Sequence, residues 1–289
     1  MRVGLSIDPP LAAICQALAG ERVDVFQTVL RDPGRYGNYG VPDPADRAAL
    51  ALDLRGRKAW GVAHGSLLVN LASPEGRIRN SSVSSLQADL KVAAEVGLAG
   101  VCFHVGYAKG HASADAAHGL ATRKLVELIE RTPTGPVLYI ENACEGSELG
   151  QTIPELARLI RDVGAPPERL GLLIDTCHLH AAGFDLASED AGDRLADALA
   201  AEGVLDRVVA FHLNDCQLPC GAHRDRHAIP GGGTIGIGVA SVAAHPAFAS
   251  LPGVIELSVE DARRGLAFLR EHGALPPESA PPPAEPTPG

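Results

Sequence analysis

Side chains that could bind metal ions recur at regular intervals along the 289-residue chain. Six of them end or closely follow short apolar runs and are separated by 34 to 44 residues: His64, His104, Glu141, Asp175, His212 and Glu256. Imidazoles and carboxylates that converge on one apolar mouth repel one another or lose solvation unless a cation neutralises them. The pattern therefore predicts a metal centre.

Two short motifs add three more potential ligands. His178 follows Asp175 by three residues, so a loop or a first helical turn could direct it inward. Asp225 and His227 alternate, so an extended segment would point both to one side. Five imidazoles with four carboxylates favour zinc or manganese over magnesium. Nine ligands exceed the needs of one tetrahedral ion and indicate a cluster of two or three ions.

The intervals match the elements that would have to position these residues. Apolar runs alternate with stretches at helical spacing, such as residues 84–96, 120–129 and 261–270, and Gly97 and Gly164 stand where helices would end. Eight strand–helix units predict an α/β fold, a single-domain (β/α)8 TIM barrel, whose active site lies at the C-terminal rim. The predicted strands cover residues 3–7, 23–29, 59–64, 101–104, 137–141, 170–175, 208–213 and 254–257.

The alternative fold is a doubly wound open sheet, which a glycine-rich phosphate loop after the first strand would favour. Here Asp8-Pro9-Pro10 follows that strand, and the triple glycine at residues 231–233 comes late in the chain. The barrel domain is expected to span residues 1–273. Residues 274–289 hold seven prolines without apolar periodicity, which predicts a disordered, Pro-rich tail.

The composition narrows the class of protein. Hydrophobic residues make up 46% of the chain, and no run approaches the roughly 18 apolar residues of a membrane span. An acid and two prolines follow the start too soon for a signal peptide, and the six cysteines are dispersed, so we expect reduced thiols and a cytoplasmic protein. The net charge of −10 lowers general affinity for nucleic acid without excluding a local DNA site.

The segments that carry the ligands resemble the motifs of the endonuclease IV (deoxyribonuclease IV) family of apurinic/apyrimidinic endonucleases. The resemblance runs in order over about residues 60 to 258. It rests on His64-Gly-Ser, Phe103-His104-Val-Gly, Ile140-Glu141-Asn142-Ala143, Ile174-Asp175-Thr-Cys-His178, His212-Leu-Asn214-Asp215 and Asp225-Arg-His227.

The resemblance implies a zinc-dependent hydrolase with about three Zn²⁺ ions per chain, with Mn²⁺ as an alternative at one or more sites. It also implies hydrolysis of double-stranded DNA 5′ to an abasic site, a step of base excision repair that leaves a 3′-hydroxyl. A hydroxide held between the first two ions would attack in line, oriented by Glu141 and Glu256 as the catalytic carboxylates. The implied ligands of the three ions are His64, His104 and Glu141, then Glu141, Asp175, His212 and Glu256, then His178, Asp225 and His227.

The chain departs from the family at the N-terminal and DNA-wedge motifs. Gly4-Leu5-Ser6-Ile7 lacks the histidine that usually ends the first strand, and Leu67 stands where the family has a tyrosine that helps to open the duplex. Leu67 could still act as an apolar wedge, without aromatic stacking. Further DNA contacts are expected from three arginines in rim loops, Arg31, Arg35 and Arg226.

Two other functions fit part of the pattern. A metal-dependent sugar isomerase or epimerase uses a related barrel, although its one or two ions would leave His178, Asp225 and His227 without a role. A lesion-binding protein could keep the metal site without incising DNA. The favoured hypothesis is a DNA repair nuclease that acts as a monomer and has no membrane partner.

Overall fold

Eight parallel strands form a closed barrel in the computed structural model, which describes residues 1–7, 11–36 and 43–277. Neighbouring strands pair in parallel around the ring, and the last strand closes it against the first. The predicted TIM barrel is confirmed, and the open-sheet alternative is wrong. The barrel strands are β1 (Arg2–Ser6), β2 (Val25–Val29), β3 (Trp60–His64), β4 (Gly100–Phe103), β5 (Val137–Glu141), β6 (Leu170–Asp175), β7 (Val208–His212) and β10 (Pro252–Ile255). Two short strands between β7 and β10, β8 (Asp215–Cys216) and β9 (His227–Ala228), form a separate antiparallel pair.

The helices surround the barrel, and two of them end where the sequence predicts. Gly97 and Gly164 take left-handed conformations with φ of 87° and 65° after α3 and α5, and glycine adopts these angles without a side-chain clash. The predicted helices at 84–96, 120–129 and 261–270 lie within longer ones. The described helices are α1 (Leu11–Glu21), α2 (Pro44–Arg57), α3 (Gly76–Val96), α4 (Ala114–Arg131), α5 (Ile153–Val163), α6 (Thr176–Ala181), α7 (Ala191–Ala201), α8 (Ile237–Ala244) and α9 (Val259–Glu271).

The inside of the barrel is filled by side chains rather than open. Strand residues alternate between the interior and the surrounding helices, so every second residue of a strand points inward. The inward residues form an apolar cluster, separate from the larger core between strands and helices, and its buried members are Val62, Cys102, Tyr139, Leu173 and Ala210. The candidate functional residues lie directly above this apolar layer, toward the C-terminal rim.

The end of the described chain is packed. Ala274 is buried and Leu275 packs against the core, so ordered packing continues past the predicted domain boundary at residue 273. The rest of the predicted Pro-rich tail, residues 278–289, lies outside the described residues. Among the residues that are described, no helix has both the length and the apolar character needed to cross a membrane.

Candidate metal centre

The predicted ligands form a second layer directly above the apolar layer. Because side-chain direction alternates along a strand, a residue two positions after an inward residue also points inward, one layer nearer the C-terminal rim. Five ligands are positioned in this way: His64 after Val62, His104 after Cys102, Glu141 after Tyr139, Asp175 after Leu173, and His212 after Ala210. The strand periodicity therefore gathers them at one height.

Glu141 is the hub of this layer. Its side chain is 1% exposed, and four imidazoles surround its carboxylate. Oε1 lies 2.8 Å from His212 Nδ1 and 3.4 Å from His178 Nδ1. Oε2 lies 3.1 Å from His64 Nε2 and 3.3 Å from His104 Nε2. Imidazoles that are distant from one another in the sequence thus converge on one buried carboxylate.

Asp175 joins the end of β6 to the start of α6 and orients His178. Its Oδ1 accepts a hydrogen bond from the backbone N–H of His178 at 2.8 Å, which caps the helix. The capping turn directs the His178 ring into the barrel mouth, where the sequence predicts it. The other oxygen, Oδ2, faces His212 Nδ1 at 3.7 Å and His227 Nε2 at 3.5 Å.

Asp225 and His227 complete the network from the segment after β8. Asp225 Oδ1 lies 3.0 Å from His227 Nε2, and its Oδ2 lies 3.3 Å from His178 Nε2. Since His178 also contacts Glu141, the alternating motif is connected to the strand-end ligands. The ninth residue, Glu256, joins through its Oε2, which lies 2.9 Å from His212 Nδ1. The structure therefore brings all nine predicted ligands together in one continuous network.

Neutral oxygens outside the network fix which nitrogen of two imidazoles faces inward. Nδ1 of His64 bonds the carbonyl oxygen of Gly65 at 2.9 Å, and Nδ1 of His178 bonds that of Asn142 at 3.0 Å. A carbonyl oxygen can only accept, so Nδ1 carries the proton in both rings. Nε2 is therefore the nitrogen whose lone pair a metal ion would take once the ion displaces any proton there.

Gln27 is a site residue that the sequence analysis missed. Its buried amide accepts a hydrogen bond from His212 Nε2 at 2.7 Å and donates one to Glu256 Oε1 at 2.5 Å. Asn214 supports the same region by donating to Asp175 Oδ2 at 2.7 Å and Glu256 Oε2 at 3.1 Å. The available signal was a polar residue inside the apolar run of β2.

Burial and mutual attraction together set the charges of the network. Burial opposes ionisation of Glu141, but the charges of His212 and His104 outweigh it and hold the pKa of Glu141 well below its ordinary value. Burial also opposes protonation of His212, yet the charges of Glu256 and Glu141 raise its pKa well above the ordinary value. The same balance, with Asp175 as the main attractive partner, raises the pKa of His227 to about 9. Without metal, protons on the imidazoles supply the positive charge.

The types of the clustered side chains, and two buried nitrogens among them that lack hydrogen-bond partners, are suited to binding divalent cations. Two triads, His104 with Glu141 and His178, and His178 with Asp225 and His227, each present ligand atoms within 4.8 Å of one another. Within the described part of the chain, His104 Nδ1 and His178 Nε2 are buried atoms without a hydrogen-bond partner. Buried carboxylates and imidazoles need cations or protons to compensate their desolvation, and a nitrogen–oxygen donor set suits zinc or manganese.

Of the four residues predicted to contact DNA, Arg31 is buried, whereas Arg35, Leu67 and Arg226 are exposed at the rim. Arg31 is 8% exposed, and its guanidinium lies 2.7 Å from Asp89 and bonds the Ser85 carbonyl oxygen at 2.5 Å. These contacts disfavour a DNA contact through Arg31, which stays a prediction. The buried ion pair anchors the loop after β2 on helix α3. The side chain of Arg35, in that same loop, is largely exposed and pairs with Asp32 at 3.4 Å.

Leu67 occupies an exposed position that two hydrogen bonds hold in place. Its side chain is 65% exposed, while its backbone N–H donates to the Pro33 carbonyl oxygen at 3.1 Å. The Ser66 hydroxyl donates to the same oxygen at 2.8 Å. The loops after β2 and β3 thus support each other and present Leu67 near the ligand His64.

Arg226 lies between the ligands Asp225 and His227 in the sequence. Its guanidinium donates to the Asp225 carbonyl oxygen at 2.5 Å. The residue is exposed, so its charge is presented at the rim from a position set by the segment that carries these two predicted ligands.

Asp215 organises the loop that carries the third set of ligands. The residue is fully buried, and its two carboxylate oxygens accept hydrogen bonds of 2.7–3.0 Å from the backbone N–H groups of Cys216, Gly231, Gly233, Ile235 and Gly236. A Cβ atom at Gly233 would lie 2.5 Å from Asp215 Oδ1, so only glycine allows this approach. The triple-glycine segment therefore folds around the Asp215 carboxylate and supports the β8–β9 pair, which includes His227.

Replacing Asp215 by asparagine should destabilise this loop. The amide can accept at one position only and would face backbone donors with its NH2 group, at a cost of about 1–3 kcal/mol. We expect a lower midpoint of urea unfolding and weaker metal binding. The matched control is Asp206→Asn, at an exposed residue of the short 3-10 helix Leu205–Arg207. Equal unfolding midpoints for the two variants would contradict this role of Asp215.

The raised histidine pKa values predict how the metal-free protein responds to pH. His227 has an ordinary pKa of 6.5 and a folded value of about 9, so its protonation stabilises the fold below pH 6.5, and this stability is lost as the pH rises to 9. The raised pKa of His212 acts in the same direction. Urea unfolding of chelator-treated protein should therefore show a falling free energy of unfolding from pH 6.5 to 9, and bound zinc should reduce the fall because the cation replaces the protons. A metal-free protein whose stability is constant or rises over this range would refute the balance.

Comparisons with known proteins agree with the architecture and the motifs. Residues 21–272 match the family model described as a xylose isomerase-like TIM barrel. A probable endonuclease 4 of Symbiobacterium thermophilum is 35% identical over 245 residues, covering 82% of this chain and 85% of the relative. A probable endonuclease 4 of Moorella thermoacetica is 33% identical and covers 90% of this chain and 93% of the relative.

Solved structures of similar fold differ in how similar their sequences are to this chain. Endonuclease IV from Thermus thermophilus superposes with a TM-score of 0.81 at 28% identity, covering 94% of this chain and 100% of that chain. A D-tagatose 3-epimerase-like protein reaches a TM-score of 0.73 at 20% identity, covering 94% of this chain and 97% of that chain, a likeness of fold alone. With relatives above 30% identity that match most of its length, the chain belongs to the endonuclease IV family.

Proposed function

We propose that the protein is a metal-dependent apurinic/apyrimidinic endonuclease of base excision repair that cuts double-stranded DNA 5′ to abasic sites and leaves a 3′-hydroxyl. The observation that carries the proposal is the continuous network of nine ligands around the buried carboxylate of Glu141. The names of the relatives, probable endonuclease 4, support the same activity. We further propose a cytoplasmic monomer, consistent with six cysteines that are all unpaired.

The network suits three divalent ions, Zn²⁺ with Mn²⁺ as an alternative. Each proposed set of ligands shares a contact, at Glu141, at His212 or at Asp225. Contacts of His178 with Glu141 and of His227 with Asp175 join the third set to the other two. Ions bound there would neutralise the scissile phosphate and the leaving oxygen and supply a hydroxide nucleophile at neutral pH. The three sets are His64, His104 and Glu141, then Glu141, Asp175, His212 and Glu256, then His178, Asp225 and His227.

Glu141 and Glu256 are the proposed catalytic carboxylates. Attractive contacts outweigh burial and lower the pKa of Glu256 to about 2, so both carboxylates are ionised at neutral pH. An ionised carboxylate can only accept hydrogen bonds, so each can orient an attacking water by accepting one of its protons. Gln27 and Asn214 restrict the rotation of Glu256, which fixes the direction from which it accepts.

DNA is proposed to dock through local rim contacts rather than through overall charge. The chain carries a net charge of −10, so long-range attraction to the phosphate backbone is weak. The exposed Leu67 can separate the stack at the lesion, and Arg35 and Arg226 can contact phosphates nearby. An abasic nucleotide lacks base pairing and stacking, so its extrusion toward a recessed centre costs less than that of an intact nucleotide.

Glu141→Gln should abolish incision while the fold survives. The amide preserves shape but loses the charge that every nearby imidazole faces, so metal binding and water orientation both fail. A duplex with one abasic analogue, tested with and without a chelator, measures the effect, and Glu130→Gln on the exposed face of α4 is the matched control. Wild-type incision by Glu141→Gln or by chelated protein would refute the proposal. Tight binding of abasic duplex by metal-loaded wild-type protein without cutting would instead indicate a lesion-binding protein, and turnover of a ketose would indicate an epimerase.

Leu67→Tyr should tighten binding to abasic duplex. A tyrosine at this exposed position adds aromatic stacking against bases, worth about 1–3 kcal/mol, to the apolar wedge. Affinity is measured by fluorescence anisotropy with abasic and intact duplexes. The matched control is Leu52→Tyr on α2, a comparably exposed leucine at 68%. Unchanged affinity for Leu67→Tyr, or an equal gain for both variants, would mean that the wedge lies elsewhere.

A further inference from the structure

The loops after β4 and β5 pair with each other beside the ligand His104. The backbone N–H of Ala108 donates to the Ser147 carbonyl oxygen at 2.7 Å, and that of Leu149 donates to the Gly106 carbonyl oxygen at 2.8 Å. Between these two bonds, Tyr107 and Glu148 face each other in an antiparallel bridge. The pairing of the two loops therefore fixes the backbone of Glu148 next to the metal centre.

The Glu148 carboxylate is turned inward, with one oxygen hydrogen-bonded and the other facing His104. The side chain is 8% exposed. Its Oε2 accepts the backbone N–H of Glu145 at 2.8 Å. Burial, together with the nearby Glu148 carboxylate, raises the pKa of the Tyr107 hydroxyl to about 12. Glu148 Oε1 lies 3.6 Å from His104 Nδ1. The carboxylate therefore has one backbone donor, lies beside Tyr107 across the loop pairing, and directs its other oxygen at His104.

His104 lacks the second contact that the neighbouring imidazoles have. Its Nε2 faces Glu141 at 3.3 Å, whereas its Nδ1 is buried without a hydrogen-bond partner in the described residues. The outer nitrogens of His64, His178 and His212 instead bond neutral oxygens. The charged group that faces His104 Nδ1 is the carboxylate of Glu148.

We propose that Glu148, supported by the Tyr107 hydroxyl, is a positioning residue that accepts the Nδ1–H of His104 and so directs the Nε2 lone pair at the metal held with His64 and Glu141. The inference rests on the proposed metal centre and goes beyond its nine ligands. A carboxylate on the outer nitrogen fixes the tautomer and makes the imidazole a stronger donor than a neutral oxygen does. The separation of 3.6 Å has to close by less than about 1 Å for a hydrogen bond.

Zinc affinity measured by competition with a chelator tests this role without relying on activity. Glu148→Gln should weaken binding of the most affected ion about tenfold to a hundredfold. Tyr107→Phe keeps the carboxylate but removes one of its supports, so it should produce a smaller loss in the same direction. Glu130→Gln, an exposed glutamate on α4, is the matched control and should bind zinc like the wild type.

A double variant separates positioning from general stabilisation. If Glu148 acts through His104, Glu148→Gln should change zinc affinity less than about twofold in a His104→Ala background, because coupled residues are not additive. Wild-type affinity in both Glu148→Gln and Tyr107→Phe, or a full loss that persists without His104, would overturn the inference. If Glu148→Gln does not fold, Tyr107→Phe alone decides. Wild-type protein that binds no zinc would overturn the metal centre itself.

Discussion

The desolvation of one carboxylate, that of Glu141, is the constraint around which the site is arranged. Its side chain is 1% exposed and stands on a floor of apolar residues, so water cannot stabilise its charge. Four imidazoles face its two oxygens. Four further carboxylates, those of Asp175, Asp225, Glu256 and Glu148, face those imidazoles. Such a concentration of buried charge is stable only if protons or cations neutralise it, and both the pKa shifts and the proposed metal ions follow from that requirement.

The barrel supplies the geometry that makes this concentration of charge possible. In each contributing strand the ligand follows an inward apolar residue by two positions, so the same periodicity that packs the interior also aligns the ligands above it. A second set of contacts then fixes the orientation of three imidazole rings. Each ring donates one hydrogen bond to a neutral oxygen, that of the Gly65 carbonyl, the Asn142 carbonyl or the Gln27 amide. The nitrogens that would bind metal are therefore directed at the centre before any ion binds.

Much of this was predictable from the sequence, and the exceptions have physical reasons. Strand periodicity and the spacing of ligands predict the barrel and the meeting of all nine residues, because both depend on local pattern. Gln27 was missed because its partners are 185 and 229 residues away and nothing local marks them. The burial of Arg31 could not be predicted either, because its partner, Asp89, is 58 residues away on α3. The inward turn of Glu148 depends on the pairing of two loops, which no short motif encodes.

The number of metal ions bound per chain decides whether the nine-residue network is a three-ion centre. Elemental analysis of protein freed of loosely bound ions, referred to the chain concentration, counts the divalent ions that the network holds. The account predicts about three ions per chain, mostly zinc, with loss of ions when Glu141 is replaced, because nine ligands in three sets suit three ions. A single ion per chain, or none, would contradict it.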